Sequence, residues 1–327
     1  MQKKISEAIN KYNSFVLVTH FNPDGDGVGS LVAMSAFLKG LGKKVHAYYT
    51  GHLISTYNFL NADGDVEQYE GAGDPDLKIA EAEIIILLDA NEWSRTEKME
   101  RPLRDSPALK LVIDHHPIEE SDFDVTWVDV AAASVGELVF KLIKSMDGRI
   151  TEKIGVALYV TILTDTGSFR FSNTTSNTHR IAAELIDAGV KTSRLYQAVY
   201  ERNPVEKVRL LGHCLVNIQM GCNDLVAWIS VSQETLKKYN AELWMLDGVV
   251  EIVRTITEVE ATVLIAERAD GKIKASVRSR DKLDVNAVAR TLGGGGHPKA
   301  AGCKLDMGLK EAEGLIMRKL EEAIAKM

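Results

Sequence analysis

Cysteine is scarce in this chain: there are three in 327 residues, Cys214, Cys222 and Cys303, odd in number and without Cys-x-x-Cys spacing. That excludes a disulfide framework and a zinc ribbon and leaves structural thiols. Long apolar runs are missing too. None approaches the ~20 residues that span a bilayer, and the start, Met1 to Glu7, lacks the apolar core and cleavage site of a secretory signal. A cytoplasmic protein without membrane attachment is expected. Positive charge is in deficit, 39 Lys and Arg against 46 Asp and Glu, for a formal net charge of −7. Long duplex nucleic acid, held by many Lys and Arg contacts to phosphates, is therefore a poor partner. A phosphate ligand must be met locally, by divalent ions, helix N-termini or a few arginines.

What the chain does have is apolar material for more than one core. Its 327 residues, 45% hydrophobic, exceed the roughly 250 to 300 at which a single core stops growing. Apolar β-rich runs at 15–19, 45–50, 84–88, 109–113 and 125–130 alternate with segments able to form helices. This is the pattern of a parallel sheet with helices on both faces. One helix is predicted from Val28 to Leu41, another from a capping box at Ser134-Val135-Gly136-Glu137, and a third, capped by Thr151, delivers Asp165 at its far end. From Thr178 to Met220 the pattern is helical and charged, broken at Asn203-Pro204. Strands near 225–231, 260–267 and 272–279, a helix from Asp284 and a last helix from Leu309 follow. The expected architecture is an α/β parallel-sheet domain over residues 1–190, a helical linker over 191–220 and a smaller α+β domain over 221–327. The apolar stretch Ala131 to Phe140 is a candidate surface for a homodimer.

Four acidic or imidazole clusters each close an apolar run. His20-Phe21-Asn22-Pro23-Asp24-Gly25-Asp26 follows Phe15 to Thr19, Asp89 follows Ile84 to Leu88, Asp114-His115-His116 follows Leu109 to Ile113, and Asp165 ends Ile154 to Leu163. Such groups are costly to bury unless an ion or phosphate compensates them. Three of them have a plainer reading: Asp24 in a helix-capping turn, Asp89 as a loop starter, Asp165 in a helix-ending turn. Together they look like one composite metal site. Asp24 and Asp26, two apart in a turn, diverge and can serve two different ions with His20 on one of them, and Asp89 is placed to bridge. Two-metal hydrolysis uses ions roughly 3.5 to 4 Å apart, an activated water and charge neutralisation on the phosphoryl oxygens. Mixed imidazole and carboxylate donors suit Mn²⁺ better than Mg²⁺, and the absence of cysteine ligands argues against zinc. Gly25-x-Gly27-x-Gly29 also resembles half of a dinucleotide-binding fingerprint. The acid which that motif needs after the second strand is missing from Val45 to Thr50, and two carboxylates would repel a pyrophosphate.

A second loaded segment is Gly293-Gly294-Gly295-Gly296-His297-Pro298-Lys299. Its glycines would let backbone N–H groups approach an anion, with His297 and Lys299 as positive partners. Pro298 stands where a Walker loop requires glycine. A flexible linker is the plainer alternative. The strand-like Ala275 to Arg280 just upstream weakens it, because Arg278 and Arg280 could offer bidentate donors to phosphate.

These residues together resemble the Asp-His-His (DHH) phosphoesterase superfamily across both halves of the chain. His20 to Asp26 resembles its first motif, Asp89 with Arg95 its second, Asp114 to His116 its third and Thr164-Asp165-Thr166-Gly167 its fourth. The glycine-histidine segment resembles the signature of its C-terminal substrate domain. The resemblance implies an N-terminal parallel-sheet DHH catalytic domain carrying two Mn²⁺ ions, or Mg²⁺ or another divalent ion in their place, and a C-terminal α+β cap domain that closes on phosphate substrates. It implies that His20 and Asp24 hold one ion, Asp26, His115 and Asp165 the other, and that Asp89 bridges. His116 would face the scissile phosphate, with Asp114 fixing an imidazole's orientation. Arg95, Arg278, Arg280, Gly294, Gly295, Gly296 and His297 would meet the substrate.

Within the superfamily, the two-domain layout and full glycine-histidine signature are most similar to the nanoRNase and 3'-phosphoadenosine 5'-phosphate (pAp) phosphatase branch. That implies hydrolysis of short oligoribonucleotides or linear dinucleotides such as pApA and pGpG to mononucleotides, and of pAp to AMP. The alternatives are a cyclic-dinucleotide phosphodiesterase, a RecJ-like single-strand exonuclease, and a catalytically silent nucleotide-binding regulator.

Overall fold

Strands that are apolar on both faces must be covered on both faces, and several of them form the centre of the first unit. The computed structural model describes residues 1–71, 73–118 and 121–327, which divide into Met1–Arg202 and Asn203–Met327. In chain order the first unit runs α1 (Gln2–Lys11), β1 (Ser14–Val18), α2 (Gly25–Gly40), β2 (Lys44–Tyr49), β3 (Glu67–Gln68), α3 (Asp74–Glu81), β4 (Ile84–Leu88), α4 (Glu100–Asp105), β5 (Leu109–Asp114), β6 (Val125–Val128), α5 (Val135–Ser145), α6 (Glu152–Asp165), α7 (Ser176–Asp187) and α8 (Thr192–Tyr200). The strands pair in parallel in the order β3-β2-β1-β4-β5-β6.

Alternate residues of the central strands face opposite ways. Phe15, Leu17, Ile84, Ile86, Leu111 and Ile113 join a core with α1, α2, α5 and α6. Val16, Val18, Ile85, Leu87 and Val112 join another with α3 and α4. The chain crosses from one side of β1 to the other between β3 and β4, so the loops leaving β1 and β4 part at a crevice, the usual ligand position in such sheets. His20, Asp89 and the Asp114 cluster stand at the ends of β1, β4 and β5.

The helix expected from Val28 begins three residues earlier, at Gly25, because the Asp24 carboxylate caps it, accepting from the backbone N–H groups of Asp26 and Gly27. The glycines that mimic a dinucleotide loop are a packing seam. A Cβ at Gly29 would lie 2.7 Å from the Ala157 carbonyl oxygen, and one at Gly25 would lie 2.5 Å from Thr164 Cγ2. The start of α2 can therefore lie against α6. Of the stretch Ala131 to Phe140, a candidate surface for a homodimer, all but the exposed Ala131 is buried in this unit.

The second unit runs α9 (Val205–Val216), β7 (Gln219–Gly221), β8 (Val226–Val231), α10 (Gln233–Lys238), α11 (Val249–Val253), β9 (Ala261–Glu267), β10 (Ile273–Ser279), α12 (Val285–Thr291), β11 (Gly295–His297), β12 (Ala300–Leu305) and α13 (Leu309–Ile324). Its sheet has the order β11-β12-β10-β9-β8-β7 and is antiparallel except for β8 with β9. α12 and α13 cover one face, and α9, α10 and α11 the other. Residues 191–220, expected as a linker, carry α8 in the first unit and α9 in the second. The glycine-rich segment is not a flexible linker. It forms an edge hairpin, with Gly295 opposite Gly302 and His297 opposite Ala300. A Cβ at Gly294 would stand 2.1 Å from the Gly302 oxygen, so only glycine permits this approach. No helix among the described residues is long and apolar enough to cross a membrane.

The seam is testable in urea unfolding. Gly29→Val should destabilise the first unit by about 1–3 kcal/mol through overpacking. Gly40→Ala, where a Cβ meets nothing within 4 Å, should be neutral or stabilising by up to ~1 kcal/mol. Equal effects of the two would rule the seam out.

Candidate metal centre

His20, just past β1, is almost fully buried. Its Nδ1 lies 3.0 Å from the Phe21 carbonyl oxygen, which can only accept, so a proton sits there and Nε2 is the nitrogen left to face the carboxylates and to give a lone pair to a cation that displaces its proton. That Nε2 is 3.3 Å from Asp89 Oδ2 and 3.8 Å from Asp24 Oδ1. His115 repeats the arrangement. Its Nδ1 is 3.2 Å from the Ala132 carbonyl oxygen, and its Nε2 is 3.3 Å from Asp165 Oδ2 and 3.9 Å from both Asp26 Oδ2 and Asp89 Oδ1. Asp89 thus turns one oxygen toward each imidazole. It is 2% exposed, with a left-handed backbone (φ 59), unusual for a non-glycine residue, and its N–H is held by the Ile113 carbonyl at 3.2 Å.

Three sets of donor atoms lie within 4.8 Å of one another and could hold a metal ion: His20, Asp24 and Asp89; Asp26, His115 and Asp165; and Asp89, Asp114, His115 and His116. Asp114 differs from the others in where it points. Its Oδ1 accepts from the backbone N–H of His115 at 2.7 Å and of His116 at 3.2 Å, and from His116 Nδ1 at 2.9 Å. It fixes the His116 ring and raises its pKa, outweighing burial. The Arg95 guanidinium makes no hydrogen bond or ion pair among the described residues, and its charge opposes protonation of His116.

The Ser134 capping box is not formed. The Ser134 hydroxyl faces Thr161 Oγ1 at 3.2 Å, and the first N–H groups of α5, from Val135 and Gly136, go to the fully buried Asp26 carboxylate at 2.7 and 3.1 Å. A carboxylate from α2 replaces the local cap because the helix N-terminus offsets part of its burial cost.

Positive compensation is otherwise short. Burial and then the Asp26 charge push the Asp89 carboxyl up to about 8. Burial, followed by the charges of Asp26, Asp24 and Asp89, raises Asp165 well above the usual range. Burial opposes the charged form of His20, yet hydrogen bonds and charge from Asp24 and Asp89 prevail and raise it to about 10. A cluster that holds extra protons in this way fits divalent cations, which would take their place.

Residues with no signal in the sequence complete the centre. Asn91 Nδ2 donates to the His116 carbonyl at 3.0 Å and to that of Pro117 at 3.3 Å. Asn173 Nδ2 ties the carbonyls of Ala133 and Asp165 together, each at 3.1 Å. Only the position of Asn91, two past Asp89, could have marked it.

The remaining expected residues belong to the second unit. Arg278 lines a groove of about 440 Å³ with Gly293, Gly294 and Gly295, and is paired with Glu251 at 3.3 Å. Gly296 and His297 are exposed on the hairpin. Arg280 is a correction: its guanidinium is spent on the carbonyls of Arg254, Ile256 and Thr257 past α11, which leaves it a structural clasp rather than a phosphate donor. Lys299 is likewise turned to the Asp281 carbonyl.

Residues 14–164 match the family model described as DHH family, N-terminal domain, and residues 226–326 match the DHHA1 domain. A Thermus thermophilus protein described as a bifunctional oligoribonuclease and PAP phosphatase NrnA is 30% identical over 95% of this chain and 90% of that protein. The chain belongs to the DHH family. The crystal structure of an exopolyphosphatase-related protein from Bacteroides fragilis matches this DHH protein with a TM-score of 0.94 and 28% identity, covering 98% of this chain and 95% of that one. RecJ from Thermus thermophilus, crystallised with Mn²⁺, shares the fold at a TM-score of 0.59 and 13% identity, covering 100% of this chain and 55% of that one. The DHH protein is thus a member of a phosphoesterase enzyme family, with clustered donors suited to divalent metal.

The extra protons set a pH dependence. Free carboxyls in the unfolded chain lose their protons near pH ~4, whereas folded Asp89 keeps its proton up to about 8. Over that window the folded, metal-free state binds more protons, so its stability should fall as pH rises. A saturating divalent ion displaces those protons and should flatten or reverse the slope. Urea unfolding of chelator-treated and metal-loaded protein measures both, and metal-free stability that rises across this window would contradict the assignment.

Proposed function

We propose that this DHH protein is a two-manganese phosphodiesterase and phosphatase that cleaves short oligoribonucleotides or linear dinucleotides to mononucleotides, and pAp to AMP. The observation that carries this reading is Asp89, whose two oxygens face different histidines at 3.3 and 3.9 Å. His20 and Asp24 would hold one ion, Asp26, His115 and Asp165 the other, and Asp89 both. Two such ions would supply an activated water and neutralise charge on the phosphoryl oxygens. Mixed imidazole and carboxylate donors favour Mn²⁺.

The protein's own groups position the phosphate. His116, held by Asp114, whose carboxylate favours the protonated ring, presents Nε2–H to a phosphoryl oxygen, and the Arg95 guanidinium adds a second cation. Arg278, Gly294, Gly295, Gly296 and His297 are the substrate contacts we assign to the second unit. The acidic chain supports a substrate of few phosphates, and the name of the Thermus thermophilus relative supports both activities.

Asp89→Ala should abolish Mn²⁺-dependent turnover of pApA while the circular dichroism spectrum is retained. Activity that survives chelation and reloading would refute the bridge. A panel of pAp, pApA, pGpG, cyclic dinucleotides, inorganic polyphosphate and longer RNA tests the substrate. Dinucleotides and pAp should be preferred; rates that climb with strand length would point to a processive exonuclease, and preference for polyphosphate would remove the nucleotide reading.

A further inference from the structure

Burying a phenylalanine ring is among the larger stabilising contributions open to a side chain. Of the eight in this chain, six are buried or half-buried, whereas Phe21 is 42% exposed and Phe171 38%. Both exceptions follow metal-competent residues closely in the chain. Phe21 directly follows His20; its N–H is bound by the Arg95 carbonyl at 2.7 Å, and its ring lies against Gly51, where a Cβ would come within 2.5 Å of it.

Phe171 comes six residues after Asp165. The chain doubles back through three successive left-handed residues, Gly167, Ser168 and Phe169 (φ 54, 63 and 67). Two of these are not glycine, a conformation that persists only where its surroundings impose it. The result is that the Phe171 N–H bonds the Thr166 carbonyl at 3.0 Å and its ring covers Gly167, where a Cβ would lie 2.5 Å from it. The Arg170 guanidinium carbon stands 5.0 Å from the ring centroid. Nucleobases stack on aromatic rings and on guanidinium planes alike.

We infer that Phe21, which follows His20, and Phe171 with Arg170, which follow Asp165, are base-stacking platforms that hold the nucleobases flanking the scissile phosphate. The inference rests on the proposed function and narrows its substrate to nucleotides recognised through their bases, not through phosphate alone. Neither ring touches the reacting atoms; they are specificity-determining residues.

The test compares the full-length Mn²⁺-loaded protein with Phe21→Ala, Phe171→Ala and the corresponding tryptophan variants, Phe21→Trp and Phe171→Trp. KM and kcat are measured on pApA, and calorimetric affinities for AMP and for ribose 5-phosphate. Each alanine variant should raise KM for pApA, or weaken AMP, roughly tenfold, the size of one lost base–aromatic stack, with a smaller change in kcat. Ribose 5-phosphate affinity and the Mn²⁺ titration should not move, and tryptophan should retain the wild-type preference for AMP. Equal weakening of AMP and ribose 5-phosphate, or no weakening in either alanine variant, overturns the platforms. If pApA is cut but the variants match wild type, the proposed function stands and the platforms fall. If no nucleotide is cut yet AMP is still preferred through these rings, the reverse holds.

Discussion

Like charge confined in a dry pocket is the constraint around which the first unit is arranged. Asp26, Asp89 and Asp165 are each largely removed from water and each repels the others, which is why Asp89 and Asp165 hold protons far above the usual carboxylate range. The fold meets part of this cost with neutral dipoles. The N-terminus of α5 is directed at Asp26 and that of α2 at Asp24, each giving two backbone N–H groups. Among the described residues no helix start donates to Asp89, and it is the carboxylate placed between the two histidines. A divalent cation on each side would relieve the repulsion that the backbone leaves in place.

The close approach of α2 and α6 follows from the same need. Asp26 sits in the first turn of α2 and Asp165 at the last residue of α6, so their carboxylates can converge only if the helices touch. Glycine at 25 and 29 permits this, where Thr164, Thr161 and the Ala157 carbonyl fill the space a side chain would take. Gly136 plays the same part for α5, with Thr161 against it. The second unit shows similar use of glycine for a different end, bringing β11 against β12.

The sheet and the clustering of candidate donors were legible because both leave strong local marks. Near-continuous apolar runs give the parallel strands, and charged groups closing those runs give the candidate site; the strands expected near 225–231, 260–267 and 272–279 were as clear and form within a residue of those bounds. Features that depend on distant partners were not legible. Ser134 has the spacing of a capping box, but nothing local says that Asp26, more than a hundred residues away in sequence, will occupy that helix start. Arg280 reads as an exposed strand arginine, and only the folded chain brings three carbonyls to its guanidinium. The glycine run offered backbone freedom without saying whether a helix or a hairpin would use it. Short strands such as Glu67–Gln68 carry no periodicity at all.

His115 and His116 show how adjacent residues of one type acquire opposite tasks. Both rings have one nitrogen committed within the protein, and the difference lies in what receives it. His115 gives Nδ1–H to a neutral carbonyl, which fixes the tautomer and leaves a lone pair on Nε2 among three carboxylates. His116 gives Nδ1–H to the Asp114 carboxylate, which stabilises the imidazolium and therefore suits Nε2 to donate. A ligand to a cation must be unprotonated on the side it presents, and a partner for a phosphoryl oxygen must be protonated there. Asp114 can enforce this division because its Oδ1 also grips both backbone N–H groups, so neither ring can take the other's place without breaking the turn that carries them. In the reading proposed above, the Asp-His-His sequence is thus one device: the carboxylate sets the protonation of the second imidazole and the register of the first.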